Sequence, residues 1–217
     1  MTACRWGDLS TVQSLCQLAT SQTLLFSSDI QELVHYASRC NHKPIVEYLC
    51  ELDLSLPASP LTRTQFDAYK QGVMWAASCN VLSVMRFLCE LALSRPTLGI
   101  TPAFDNNRPL RRAMGNDSKS VVRYLCELAQ SCPCSGIDPA AKDNFAIKQA
   151  AKYGWAEMVR HLCEHPTVDP AAVLRMDPQP PADILEIVCD ALAQRRRWSS
   201  LRAAFVAAVV NFPCALL

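Results

Sequence analysis

Glycine is scarce, at 6 of 217 residues, where about 7% is usual. The six stand at positions 7, 72, 99, 115, 136 and 154. They supply none of the spacings of a phosphate loop, a dinucleotide fingerprint or a Gly-x-Ser-x-Gly nucleophile elbow. No enzyme, no cofactor and no resident metal is expected. A charge imbalance is also lacking: 21 Lys and Arg face 20 Asp and Glu, for a formal net charge of +1. Wholesale nucleic-acid binding normally needs a basic stripe, so no nucleic-acid partner is expected. Long apolar runs are absent. Residues 203–217 come closest, but Asn211 and Pro213 interrupt them, and a bilayer span needs about 18 or more apolar residues. The opening Met1-Thr2-Ala3-Cys4-Arg5-Trp6-Gly7-Asp8 has no apolar stretch and no cleavage signature of a secretory leader. Cysteine, by contrast, is abundant at 12 residues. Without a leader these read as reduced thiols in a cytoplasmic protein, and a monomer is expected. Half the residues are hydrophobic and 19% are charged, which excludes a disordered chain.

One phrase recurs along the chain. Leu15-Cys16-Gln17-Leu18, Leu49-Cys50-Glu51-Leu52, Leu88-Cys89-Glu90-Leu91, Leu125-Cys126-Glu127-Leu128 and Leu162-Cys163-Glu164 carry it. Three positions before each leucine stands Val12, Val46, Met85, Val122 or Val159. Twelve positions before it stands Ala3, Ala37, Ala76, Ala113 or Ala150. Val122, Leu125, Cys126 and Ala129 are three or four apart, so they share one helix face. This is the outer helix of each unit. The alanine belongs to a shorter inner helix, where close packing leaves no room for bulk.

Four positions after each alanine comes Gly7, Asn41, Asn80, Asp117 or Gly154. These residue types tolerate a left-handed backbone, so the column predicts a helix terminator with positive φ. The loops also echo one another. Gly99-Ile100-Thr101-Pro102-Ala103 matches Gly136-Ile137-Asp138-Pro139-Ala140, and Val168-Asp169-Pro170-Ala171-Ala172 repeats the theme. Asn107 then matches Asn144, and Leu110 matches Ile147. Each unit reads as loop, short helix, turn, long helix.

The stretch from Asp143 to Cys163, with its Ala150-Ala151 pair, Gly154, Glu157-x-Val159 and Leu162, resembles an ankyrin repeat. Asn41-His42 echoes that family's turn, and Arg108-Pro109-Leu110-Arg111 keeps a trace of its opening motif. The resemblance implies an all-α, ankyrin-type helix-turn-helix solenoid over residues 1–175, in units near 1–27, 28–62, 63–99, 100–136 and 137–175. Residues 176–217 read as degenerate capping helices and a tail. One helix is expected over Ala182–Gln194, with Ile184, Leu185, Val188 and Leu192 on one side. Ser199 and Ser200 would cap a second, running to about Asn211.

The resemblance further implies a protein-protein interaction module that contacts another protein through its loop tips and inner-helix ends. Carried over by register, the contact positions are Lys142, Asn144, Lys152 and Tyr153 in the fifth unit. In the fourth they are Asp105, Asn107, Gly115 and Asn116. In the third and second they are Ser78, Cys79, Ser38 and Arg39. Tyr153 is the expected anchor, since an amphipathic aromatic suits a binding hot spot.

Other residues carry weaker chemistry. The five repeated cysteines pack as small hydrophobes. Cys132-Pro133-Cys134 is the one local thiol pair. Its spacing is too tight for a usual zinc hairpin, but loop thiols are redox-accessible. His161 and His165 lack the glutamate placement of a zincin and suit a helix C-terminus. Arg195-Arg196-Arg197 with Arg202 reads as a solvated linker, with anionic lipid, RNA or nuclear import as alternatives. Cys214-Ala215-Leu216-Leu217 has the form of a prenylation box. A lipidated Cys214 would make the chain a peripheral membrane adaptor.

Overall fold

The computed structural model describes residues 2–21, 27–55, 67–96 and 100–210. The protein is all-α, with no strand among the described residues. The helices run α1 (Thr2–Trp6), α2 (Leu9–Ser21), α3 (Ser27–Arg39), α4 (Lys43–Ser55), α5 (Asp67–Ser78), α6 (Leu82–Ser94), α7 (Phe104–Gly115), α8 (Lys119–Ser131), α9 (Ala141–Lys152), α10 (Ala156–Glu164), α11 (Ala171–Leu174) and α12 (Ala182–Val210). They form two compact units, Met1–Lys142 and Asp143–Leu217. The division falls inside α9.

The first ten helices pair as the repeated phrase requires, and the alanine column shows how. Asp8 N donates to Ala3 O (3.0 Å), His42 N to Ala37 O (2.9 Å), Val81 N to Ala76 O (3.0 Å), Ser118 N to Ala113 O (2.9 Å) and Trp155 N to Ala150 O (2.9 Å). This is the closing bond of a Schellman motif, and it needs a left-handed residue just before its donor. Gly7, Asn41, Asn80, Asp117 and Gly154 all have positive φ, between 56° and 80°. The valine column marks the restart. Val12, Val46, Met85, Val122 and Val159 each donate to the carbonyl of the residue that follows the terminator, at 2.9–3.1 Å.

Two of the five terminators are asparagines with a second task. Asn80 Oδ1 accepts from Val121 N (3.2 Å), and Asn41 Oδ1 accepts from Ser83 Oγ (2.6 Å). Ser118, at the head of α8, makes no side-chain cap. Asn80 therefore caps α8 from the preceding pair, which a glycine cannot do.

Within the first unit the pairs stack in two layers. α3 packs on α5 and α5 on α7, while α2, α4, α6 and α8 follow one another in the second layer. Ala37, Ala76 and Ala113 are fully buried in the first layer. A Cβ on Gly72 of α5 would come within 3.1 Å of Leu88 Cδ1 and 3.2 Å of Val34 Cγ1. In the second layer Leu49, Leu88 and Leu125 are at most 1% exposed. Leu15 departs from its column at 56% exposed; among the described helices the first pair packs mainly on α3 and α4. The sequence suggests a shorter first helix in each pair, which holds for α1 against α2 but not for the next three pairs. α3, α5 and α7 have 12 or 13 residues, nearly matching their partners.

Part of that length is unusual. Asp105, Asn106 and Asn107 open α7 in left-handed conformation (φ 50°, 57° and 57°). Lys142, Asp143 and Asn144 do the same in α9 (φ 56°, 56° and 58°). Such runs are disfavoured for L-residues, so something must hold them. Arg111 donates from Nε to Asn106 O (3.2 Å) and from Nη2 to Asp105 O (3.1 Å). Lys148, at the matching position of α9, pairs with Asp143.

The turn aims its third residue at the next loop. Asn107 Oδ1 accepts from Asp138 N (2.9 Å), and Asn144 Oδ1 accepts from Asp169 N (2.8 Å). In each loop an oxygen then spans the proline, which has no N–H of its own. Thr101 Oγ1 accepts from Ala103 N (3.2 Å), Asp138 Oδ1 from Ala140 N (2.9 Å) and Asp169 Oδ1 from Ala171 N (3.0 Å). These are Ser/Thr- and Asx-type turns, and they account for the loop echo. Asn107→Ala is expected to cost about 2–3 kcal/mol, because Asp138 N loses its acceptor and alanine lacks the polar side chain that lets asparagine tolerate left-handed backbone. Asn107→Gly keeps the backbone and is expected to cost about 1 kcal/mol less. Chemical denaturation of both variants checks this.

In the second unit α12 packs on α10 and α11. Ile184 and Val188 are fully buried, and Leu185 and Leu192 are half-buried. The expected break near Ser199 is corrected: α12 is one helix of 29 residues. Ser199 Oγ donates back to Arg196 O (2.8 Å), so its hydroxyl is satisfied mid-helix rather than at a cap. The Arg195 cluster is accordingly helical, not a linker. Arg195 reaches across to Val168 O (2.8 Å), Cys163 O (2.7 Å) and His165 O (2.8 Å). It closes the C-terminal end of α10, where orphan carbonyls suit a cation. Among the described residues no helix is long and apolar enough to cross a membrane.

Candidate binding surface

The residue just before each buried alanine faces outward beside it. In α3, α5 and α7 those residues are Tyr36, Trp75 and Arg112. Tyr36 and Trp75 are half-buried and Arg112 is exposed. His35 links the first two, with ring centroids 4.9 Å from Tyr36 and 4.1 Å from Trp75, nearly parallel to both. Beside this stack a groove of about 420 Å³ runs between α5 and α7. Trp75, Met74 and Phe104 give it apolar walls, and Lys70, Arg108 and Arg112 give it cations. Asp105 is the one acid in its lining, and it pairs with Arg108 at 3.3 Å.

Of the sequence-expected contact residues, the structure brings Ser78 and Asp105 to this groove. Ser78 Oγ accepts from Arg112 Nε (2.8 Å) and donates to Met74 O (2.8 Å), which fixes the Arg112 guanidinium along the wall. Arg39 is exposed at the end of α3, and Cys79 is exposed after α5. Gly115, the last residue of α7, and Asn116 just after it are exposed, and Asn116 Nδ2 folds back onto Arg112 O (2.7 Å). Ser38 is fully buried and offers no contact. Asn107 is also corrected. It is buried, and its amide oxygen tethers the 138 loop. Asn144, half-buried, plays the same part for the 169 loop.

In the second unit Lys152 and Tyr153 are exposed, as is Asp143 beside Asn144, and Lys142 is exposed at the end of the first. Tyr153 is 50% exposed and stacks on Trp155, with centroids 5.3 Å apart. That support preorganises the ring as an anchor. Cys214 lies outside the described residues. The reading from register found helix ends but missed Tyr36, Trp75 and Arg112, one turn earlier. Their signal was present in the sequence, as the position preceding the alanine column.

The thiols divide by burial. Cys4, Cys16, Cys50, Cys89, Cys126 and Cys163 are buried. Burial pushes the thiols of Cys89 and Cys126 up to about 12 and that of Cys163 to about 11. They are poor nucleophiles. Among the described residues no group of three or more His, Cys, Asp or Glu is placed to hold a metal ion.

His35 is the titrating group of the aromatic stack. Burial lowers its pKa, Arg39 lowers it further, and Glu32 opposes. Its Nε2 is buried without a hydrogen-bond partner. Folding therefore disfavours the imidazolium, and this site is most stable above about pH 6.5, the ordinary histidine value. Stability is lost as the pH falls below that. His35→Phe is expected to flatten the decline in melting temperature between neutral and mildly acid pH, read as the difference from wild type.

Comparison with protein-family models, with curated proteins and with solved structures finds no match.

Proposed function

We propose that the chain is a non-enzymatic protein-interaction module built from divergent ankyrin-type repeats. The observation that carries this is the row of Tyr36, Trp75 and Arg112 beside the α5–α7 groove. A repeated framework fixes buried columns and leaves the adjoining outward positions free to vary. Here those positions combine aromatic surface with guanidinium groups, the two chemistries most enriched in binding hot spots. Three cations against one acid in the groove favour an acidic polypeptide segment with an apolar or aromatic side chain for the Trp75 wall. Tyr153 and Lys152 are a further contact point on the second unit. The described cysteines are not joined in disulfides, which suits a reducing, cytoplasmic setting.

A peptide array probed with the full chain tests the reading. Acidic peptides carrying Phe, Tyr, Trp or Leu are expected to be retained, less so at high salt. Arg108→Glu with Arg112→Glu is expected to abolish retention without loss of fold, because both side chains are exposed and the Arg108–Asp105 pair is a surface pair of small worth. Retention of basic peptides by the wild type would contradict the assignment.

A further inference from the structure

Cys132 and Cys134 are placed differently from the other described cysteines. Their Sγ atoms lie 2.9 Å apart. That is closer than ordinary sulfur contact but longer than a covalent S–S bond of about 2.05 Å. Cys134 is exposed and Cys132 half-buried. The turn that carries them is tied at several points. Cys132 N donates to Leu128 O (2.8 Å), Ser135 N to Cys132 O (2.9 Å) and Gly136 N to Pro133 O (3.3 Å). Thr101 Oγ1 donates to Ser135 O (3.0 Å) from the preceding loop. Pro133 restricts the backbone between the two thiols. The thiols are therefore held face to face by a closed turn, and bonding them requires under about 1 Å of approach.

We propose that Cys132 and Cys134 form a reversible dithiol–disulfide site that exchanges with small-molecule disulfides such as oxidised glutathione. Cys134, the more exposed, attacks as thiolate. One sulfur of the small disulfide joins Cys134, and the other leaves as a thiolate that takes up a proton. Cys132 then loses its proton and attacks Cys134 Sγ, and the second small thiolate leaves. The loop dithiol is oxidised by two electrons, the small disulfide is reduced to two thiols, and protons balance. Cys132 is the resolving partner. It is the less exposed of the two and so reacts second, and hydrogen bonding to Cys134 raises its pKa. Such a disulfide is transient in a reducing compartment, as redox-sensing bonds are. Cys79 and Cys189 are exposed, and neither is hydrogen-bonded to a second thiol. They serve as internal controls.

The test treats the reduced full-length protein with oxidised glutathione, quenches with an alkylating agent, and reads each cysteine by peptide mass spectrometry. In the wild type, the peptide carrying Cys132 and Cys134 is expected to lose two hydrogens and to retain no glutathione, while Cys79 and Cys189 carry stable adducts. Cys132→Ser is expected to trap glutathione on Cys134. Cys134→Ser is expected to slow reaction at Cys132 at least tenfold. Melting curves confirm that both exposed-turn variants fold. Recovery of both cysteines alkylated in the wild type would overturn the proposal. So would a persistent wild-type adduct, or tight binding of one zinc ion in place of oxidation.

Discussion

Leu125→Ala is expected to destabilise the first unit by about 2–5 kcal/mol, the usual cost of truncating a buried leucine. Leu125 is 1% exposed, and Val122, Cys126 and Ala129 of the same helix face are buried with it. Leu15 occupies the same sequence column and provides the control. At 56% exposed, its replacement by alanine is expected to change stability by no more than about 0.5 kcal/mol. Urea denaturation of both variants measures the contrast. Equal effects would mean that the column does not stack as described.

The second large effect belongs to Arg195. One guanidinium serves three carbonyls, at 2.7 and 2.8 Å, and it joins α12 to the end of α10. Hydrogen bonds involving a charged group are worth about 1.5–3 kcal/mol each. Water replaces part of the loss at a half-buried site. Arg195→Ala is therefore expected to cost on the order of 3 kcal/mol in the second unit. Arg195→Lys is expected to recover only part of this, because an ammonium lacks the planar fork. Arg196→Ala, on an exposed side chain of the same cluster, is expected to be nearly neutral. Hydrogen exchange at α10 and at the start of α12 reads the difference locally.

The residues that were legible in the sequence share a physical reason. The alanine and terminator columns act through backbone bonds that span five residues, so the rule is local. Small Ala37, Ala76 and Ala113 permit close packing, and a Gly, Asn or Asp four positions on supplies the positive φ. The loop echo is equally local, being one side-chain oxygen bonded across a proline. The rest depends on distant partners. Arg195 reads as one member of a basic run, because its carbonyls lie 27 to 32 residues earlier. Ser199 reads as a cap because serine favours that position, yet its hydroxyl bonds within the helix. The left-handed openings of α7 and α9 contradict the ordinary preference of L-residues and need Arg111 and Lys148 to hold them. Asn107 and Asn144 illustrate the limit for the candidate site. Their correspondence is plain in the sequence, but it marks a tether between loops rather than a contact with a partner.

That distinction also separates the two layers of the first unit. The second layer is fixed by apolar columns and buried thiols, and substitutions there act on stability. The outward positions of α5 and α7 bear little of the fold. Arg108 and Arg112 are exposed, and their charges are uncompensated except by Asp105. Under the proposed function, binding is where such residues are expected to act.

Affinity capture from host extract with the full chain, followed by quantitative mass spectrometry, tests the central claim most directly. Wild type, Arg108→Glu with Arg112→Glu, and Tyr153→Ala with Lys152→Ala are compared at matched melting temperature. The account predicts a defined set of polypeptides enriched in acidic segments, captured by the wild type, lost with the groove variant and weakened with the Tyr153 variant. Recovery of the same polypeptides by all three proteins would contradict it.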